Sequence, residues 1–246
     1  MHLFDPILTL GEGVISTLTA AFAGFAGPFA AILAIVVVTV IVRLFLSPLA
    51  WLALKNDVAR RRTGPKLAKI FKSSAGDPTK LVDGVRSVVA KDNFNLWLQV
   101  IPSLAQAPVV SLIFGLFHSA TIAGIPNALL NIGFFGVPLG KTFYSVLFSS
   151  LTPYAWVPLL VLLAYGVALF IASRRNAVWS AIFVVPKKVQ TPTATAFGMI
   201  APLALFAIFP MATLVYFTTS TLWGVAEASV TRSIWKKRNP NVKPAA

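Results

Sequence analysis

Residues 29–54 read FAAILAIVVVTVIVRLFLSPLAWLAL, an apolar run with one charged residue, Arg43, in its interior. A bilayer hydrocarbon core of about 30 Å requires roughly 20 apolar helical residues. A charged side chain near mid-span costs roughly 2.5–3.5 kcal/mol on insertion scales. The stretch therefore predicts a membrane-spanning helix, and it raises the question of what the Arg43 guanidinium contacts.

The composition of the whole chain predicts a polytopic membrane protein. Of the 246 residues, 57% are hydrophobic and 11% are charged, whereas soluble domains carry about 25% charged residues. There is no cysteine, which excludes disulfides and thiolate metal sites. The first residues lack a basic region, so a cleaved signal peptide is not expected.

Basic residues predict the topology. The net charge is +14, and most Lys and Arg residues fall in three groups, at 55–91, 174–188 and 232–243. Cytoplasmic loops are rich in Lys and Arg, so we take all three groups as cytoplasmic. An even number of spans must then separate neighbouring groups. Topology thereby explains the charge without nucleic-acid binding.

These constraints predict an all-α polytopic membrane protein with five transmembrane helices, the N-terminus outside and the C-terminus cytoplasmic. The predicted parts, in chain order, are an extracytoplasmic N-terminus with an interfacial amphipathic helix (1–27), a first span (28–54), a cytoplasmic helical hairpin (55–95), a second span (96–118), an extracytoplasmic interfacial segment (119–153), a third span (154–173), a cytoplasmic loop (174–192), a fourth span (193–209), a fifth span (210–230) and a basic cytoplasmic tail (231–246). Simpler alternatives are a hydrophobic linker at 13–27 and a solvated, partly helical linker in place of the hairpin.

Polar side chains recur at helical spacing in three of the spans, so each set shares one helix face. The sets are Thr39, Arg43 and Ser47 on the first span, Gln99, Ser103 and Gln106 on the second, and Thr213, Tyr216 and Ser220 on the fifth. Such residues often serve only as hydrogen-bond contacts between helices. Together with an arginine, they favour a water-filled cavity in the cytoplasmic half. A buried ion pair is the alternative, but Glu227 lies near the cytoplasmic end and no acid matches the depth of Arg43.

Four motifs, in their order and spacing, resemble the YidC/Oxa1/Alb3 family of membrane protein insertases, in its minimal five-span bacterial form. They are VTVIVRLFLSPL (38–49), GPKLAKIFKSSAGDPTKL (64–81), NLWLQVIPSLAQAPVVSLIFGLF (95–117) and FPMATLVYFTTSTLWGVAE (209–227). The hairpin departs from the family pattern because it is poor in acids and rich in Arg. The third and fourth spans match in hydropathy alone.

The resemblance implies a hydrophilic groove that is open to the cytoplasm and to lipid and closed to the outside. Arg43 matches the family's first-span arginine in that groove. The resemblance also implies a non-enzymatic insertase without cofactor or metal, acting as a monomer in the bacterial plasma (inner) membrane. The implied partners are nascent membrane proteins, the lipid bilayer, the ribosome, targeting factors and the Sec translocon. The tail at 231–246 is expected to contact ribosomal RNA or anionic headgroups, or to serve only as a topology anchor.

A small-solute transporter or channel is the main alternative function. Transporters usually show inverted repeats and interrupted helices, and this sequence shows no internal repeat. An intramembrane enzyme is a weaker alternative, because His2 and His118 lie near the predicted outer side without a matched acid or nucleophile. A purely structural scaffold would give no reason for Arg43.

Overall fold

The structure is a computed structural model that describes residues 5–74, 77–91, 96–180, 199–200, 203–204 and 206–239. The side chains of residues 96–103, 105 and 106 lie outside this description. Most of the predicted fourth span, 193–209, lies outside it as well. Statements below refer to the described part of the chain.

Helices dominate the structure, as the sequence predicts. They are α1 (Asp5–Ala26), α2 (Ala30–Ser73), α3 (Pro78–Lys91), α4 (Leu96–His118), α5 (Phe143–Leu147), α6 (Trp156–Ser180) and α7 (Met211–Arg238), with short 3-10 turns at Gly27–Phe29, Ala128–Asn131 and Thr152–Tyr154. Within the described residues, two helical stretches, Asp5–Ser73 and Thr152–Ser180, are long and apolar enough to cross a bilayer, and Ala107–His118 is a shorter apolar helix. Five spans therefore remain a prediction.

Helix α2 differs from the predicted boundary between a first span and a separate hairpin. It continues without a break through Lys55 to Ser73 and contains Pro48 and Pro65. Each proline removes one backbone hydrogen bond, yet the helix persists on both sides. The next helix, α3, begins at Pro78, where the Asp77 carboxylate accepts from the backbone N–H groups of Thr79 and Lys80. The polar segment thus begins as an extension of the apolar helix.

The segment between α4 and α5 contains the strands, a feature that the all-α prediction omitted. Strands β1 (Thr121–Ile122) and β2 (Ile125–Pro126) form one antiparallel pair, and β3 (Gly133–Phe134) and β4 (Val137–Pro138) form another. Positive φ angles at Ala123 and Gly124, and again at Phe135 and Gly136, are typical of tight two-residue hairpin turns. Gly124 and Gly136 are therefore turn residues.

Packing divides the chain into two compact units. The first comprises Met1–Phe45, Ala107–Ser173 and Gln190–Gly224, and the second comprises Leu46–Gln106, Arg174–Val189 and Val225–Ala246. The first unit holds a large apolar core, with buried side chains from α1, α2, α4, α6 and α7 such as Ile15, Ile35, Leu116, Val157 and Leu214. The second has a small aromatic core in which Leu54, Val58 and Trp179 are buried, with Trp51 and Trp235 packed against them.

The strand segment anchors the start of α7 within the first unit. The Met211 N–H donates to the Lys141 carbonyl, and the Ala212 N–H donates to the Leu139 carbonyl. The first N–H groups of a helix lack partners within that helix, so these bonds satisfy two of them. Segment 139–141 therefore fixes where α7 begins, and so which of its residues face the first unit's core.

Candidate functional site

Arg43 contacts a hydroxyl of α7 within the first unit. Its Nε donates to the Ser220 Oγ at 2.8 Å, and its Nη2 also contacts that oxygen. Ser220 is only 5% exposed, whereas Arg43 is half-buried. A hydroxyl is a neutral acceptor, so this contact fixes a guanidinium within the part of α2, residues 30–54, that carries no other charged residue.

Tyr216 completes the immediate surroundings of Arg43. Tyr216 lies one turn before Ser220 on α7, and residues four apart share a helix face. Its side chain is buried. The Tyr216 phenol group lies near both the Ser220 hydroxyl and the Arg43 charge. The structure therefore brings together three of the predicted site residues, one from the first predicted span and two from the fifth.

The hydroxyls of Thr39 and Thr213 are buried in the same unit. Thr39 lies one turn before Arg43, and its hydroxyl donates to the Ile35 carbonyl of its own helix at 2.6 Å. Thr213 lies on the Tyr216 side of α7, and its Oγ1 has no hydrogen-bond partner among the described residues. An unsatisfied buried hydroxyl costs roughly 1–3 kcal/mol, so the burial of Thr213 opposes the stability of this unit.

The remaining predicted site residues are not assembled with Arg43 by these contacts. Ser47 lies in the second unit and is half-buried. The side chains of Gln99, Ser103 and Gln106 lie outside the described residues, so the predicted polar face of the second span stays a prediction. Glu227 belongs to the second unit, and its buried Oε1 has no partner among the described residues.

A polar cluster in the second unit was not predicted from the sequence. The Asp57 carboxylate accepts from Arg60 Nη2 at 2.9 Å, from Arg61 Nε at 2.8 Å and from Trp179 Nε1 at 3.0 Å. Burial raises the pKa of Asp57, but these hydrogen bonds and the Arg61 charge outweigh burial and hold the pKa below its ordinary value. Asp57 is therefore ionised at neutral pH and joins α2 to α6.

Asn176 extends this cluster to α7. Its Oδ1 accepts from Arg61 Nη2 at 3.0 Å and from Arg232 Nη2 at 3.3 Å. The Arg232 guanidinium carbon also lies 5.0 Å from the centroid of the Trp179 ring. Burial, partly offset by the Asp57 charge, lowers the pKa of Arg232 from its usual value. We call Asp57, Arg61, Asn176, Trp179 and Arg232 the three-helix cluster.

The sequence held a local signal for part of the three-helix cluster. Asp57 precedes Arg60 and Arg61 by three and four residues, the spacing at which opposite charges meet on a helix. Asn176 and Trp179 are likewise three residues apart. Topology alone accounts for most basic residues, so these pairs do not stand out in the sequence. No local pattern indicates that α2, α6 and α7 meet at them.

Comparison with known proteins gives two matches. The family model described as the 60Kd inner membrane protein matches residues 21–238. The membrane protein insertase YidC of Aquifex aeolicus (strain VF5) is 32% identical over 78 residues, which are 32% of this chain and 16% of that protein. The match thus spans about a sixth of the Aquifex protein. No solved structure matches the chain.

Proposed function

Because the chain belongs to the 60Kd inner membrane protein family, the YidC/Oxa1/Alb3 family that its motifs resemble, we propose that it inserts nascent membrane proteins into the bilayer. The observation that carries the proposal is the half-buried Arg43, which donates to the neutral Ser220 hydroxyl from the apolar part of α2. The family membership supplies the class of function, and the arginine supplies a physical means for it.

The step that such a protein must assist is the passage of a polar segment through hydrocarbon. Each unsatisfied polar group in the bilayer core costs several kcal/mol. Hydroxyls and a guanidinium would offer such groups temporary partners. A groove carrying these groups, open to the cytoplasm and to lipid, would shorten the dry path that the segment must cross.

Arg43 would attract acidic side chains in the incoming segment. The attraction between opposite charges strengthens as the surroundings become less polar. The apolar stretch of the substrate would then move sideways into lipid, where burial at about 25 cal/mol per Å² drives the step.

Partners follow as part of this proposal. Nascent membrane proteins are the substrates, and the hairpin at 55–95 meets the incoming chain or a targeting factor. The ribosome and the Sec translocon would deliver substrates, and the basic tail at 231–246 would contact ribosomal RNA. Insertion is not an enzymatic reaction, and we propose that a monomer carries it out without a cofactor.

The proposed role of Arg43 is tested by insertion into proteoliposomes that contain only this protein. Substrates are a single-span protein with an acidic N-terminal tail and the same protein with a neutral tail, and protease protection measures insertion. We expect Arg43→Ala to slow insertion of the acidic tail at least tenfold and to leave the neutral tail little changed. Arg43→Lys should retain most activity because it keeps the charge.

Lys141→Ala, which removes an exposed charge outside the hairpin and the basic tail, serves as the matched control. Normal insertion of the acidic tail by Arg43→Ala would reject charge attraction. Saturable flux of a small solute, without insertion, would favour a transporter instead. The absence of native cysteine also allows single cysteines at Thr39, Gln106 and Ser220 to report water access. If all three resist a water-soluble thiol reagent, the chain has no wet groove.

A further inference from the structure

A cavity of about 410 Å³ lies between α6 and α7 in the second unit. Its walls combine four basic side chains with two serines, a valine and a tryptophan: Arg174, Arg175, Val178 and Trp179 from α6, and Ser229, Arg232, Ser233 and Lys236 from α7. Ligand sites in proteins commonly measure about 300–1,000 Å³. The cavity therefore has room for one small anionic group.

Aromatic and hydroxyl contacts orient the cations of this cavity. The Lys236 Nζ lies 5.9 Å from the centroid of the Trp179 ring, over which Arg232 also lies. Arg175 Nη1 donates to the Ser229 hydroxyl. Neutral partners hold cations in place without cancelling their charge. The acid that acts on Arg232 is Asp57, and it already accepts bonds from Arg60, Arg61 and Trp179.

The position of the cavity along α6 indicates its depth in a membrane. No charged residue occurs from Trp156 to Ser173. This helical segment is about 27 Å long at about 1.5 Å per residue. This nearly matches the hydrocarbon thickness of about 30 Å. Arg174 and Arg175 therefore follow at the level of the lipid headgroups. Val178, which is 67% exposed, adds an apolar surface beside the cations.

We propose that this cavity binds the phosphate of one anionic phospholipid headgroup. Arg175 and Lys236 contact the phosphate, the Ser233 hydroxyl donates to one of its oxygens, and Val178 packs against the glycerol region. Nucleic acid is the less suitable ligand, because proteins that bind it neutralise many phosphates along a strand. This cavity holds a single group at the end of an apolar helix. The proposal does not depend on the insertase function.

The test uses the full chain in detergent and counts bound lipid by native mass spectrometry. Dioleoyl phosphatidylglycerol is the anionic probe and dioleoyl phosphatidylcholine the neutral one. We expect one phosphatidylglycerol per chain, bound at least tenfold more tightly than phosphatidylcholine. Arg175→Gln/Lys236→Gln should weaken phosphatidylglycerol binding about tenfold. Arg86→Gln/Lys237→Gln, which loses the same charge at exposed positions outside the cavity, should leave binding unchanged.

Two further variants distinguish lipid binding in the cavity from effects of net charge and of misfolding. Ser233→Trp fills the space without changing charge, and it should abolish the preference for phosphatidylglycerol. Lys236→Gln alone replaces an exposed side chain, and it should weaken binding about threefold. Equal phosphatidylglycerol binding by the cavity variants and the charge-matched control would overturn the proposal. So would variant-sensitive binding of inorganic phosphate or of a single-stranded RNA 10-mer without binding of phosphatidylglycerol.

Discussion

The surroundings of Arg43 and the three-helix cluster use arginine in opposite ways. In the first unit, Arg43 donates to the neutral Ser220 hydroxyl. In the second unit, Arg61 bonds a carboxylate and an amide oxygen, and its side chain is 12% exposed. The Arg43 contact joins a guanidinium to a neutral group, whereas the Arg61 contact joins a guanidinium to an acid of the same fold.

This comparison predicts different consequences when each charge is removed. Loss of a member of the three-helix cluster should lower stability, because its partners lose a hydrogen bond or an ion pair. Loss of Arg43 should lower insertion more than stability. Two quantities distinguish these outcomes for a variant. One is stability, measured as the free energy of unfolding or as the thermal midpoint in detergent, and the other is insertion of the acidic-tailed substrate.

The largest effect is expected for Asp57→Asn. The change removes the charge that Arg60, Arg61 and Trp179 contact, and hydrogen bonds to charged groups contribute roughly 1.5–3 kcal/mol each. We expect the free energy of unfolding of the second unit to fall by about 2–3 kcal/mol and the thermal midpoint to fall by several degrees. Asp83→Asn, an exposed position on α3, is the control and should change little. Equal midpoints for the two variants would contradict a structural role for Asp57.

The same carboxylate predicts a dependence of stability on pH. The pKa of Asp57 is lower in the folded chain than its ordinary value of 3.8, so its contribution is fully present above about pH 5. That contribution falls as the pH drops below 4 and is lost below the folded-state pKa. Asp57→Asn should flatten this part of the stability curve between pH 6 and pH 3. A curve as steep as that of the wild type would assign the acid sensitivity to other groups.

Trp179→Phe should have an intermediate effect on stability. It keeps an aromatic ring beneath Arg232 and removes the Nε1–H that donates to Asp57 at 3.0 Å. We expect a loss of about 1–2 kcal/mol, the usual contribution of one such bond, with insertion retained. Trp156→Phe, at a half-exposed tryptophan of the first unit, provides the matched control. A cost no greater than that of the control would show that the indole hydrogen bond is dispensable.

The smallest effect on stability is expected for Ser220→Ala. The variant removes the hydroxyl that accepts from Arg43. Because one hydrogen bond contributes about 0.5–1.5 kcal/mol, the free energy of unfolding should fall by that amount. Insertion of the acidic tail should fall only a few-fold, because the positive charge remains. The control is Thr219→Ala, whose hydroxyl donates to the Val215 carbonyl of its own helix. A drop in insertion as large as that of Arg43→Ala would show that the position of the guanidinium matters as much as its charge.

Local patterns predicted much of the fold and part of the site. The apolar run around Arg43 predicts α2, and the helical spacing of Tyr216 and Ser220 places both on one face of α7, as the structure shows. The same spacing gave no partner for Arg43, because the pairing of α2 with α7 joins residues 177 positions apart. Thr39 satisfied the same pattern, yet its hydroxyl bonds its own helix.

The sequence by itself determined that this chain belongs in a membrane and which family it resembles. Both follow from quantities that are local along the chain, namely the length of apolar runs, the clustering of Lys and Arg, and short motifs in order. The tertiary structure decided which charges are satisfied. Whether an arginine meets Asp57, Asn176, a tryptophan ring or the Ser220 hydroxyl depends on how helices distant in sequence pack, and helical periodicity does not encode that choice.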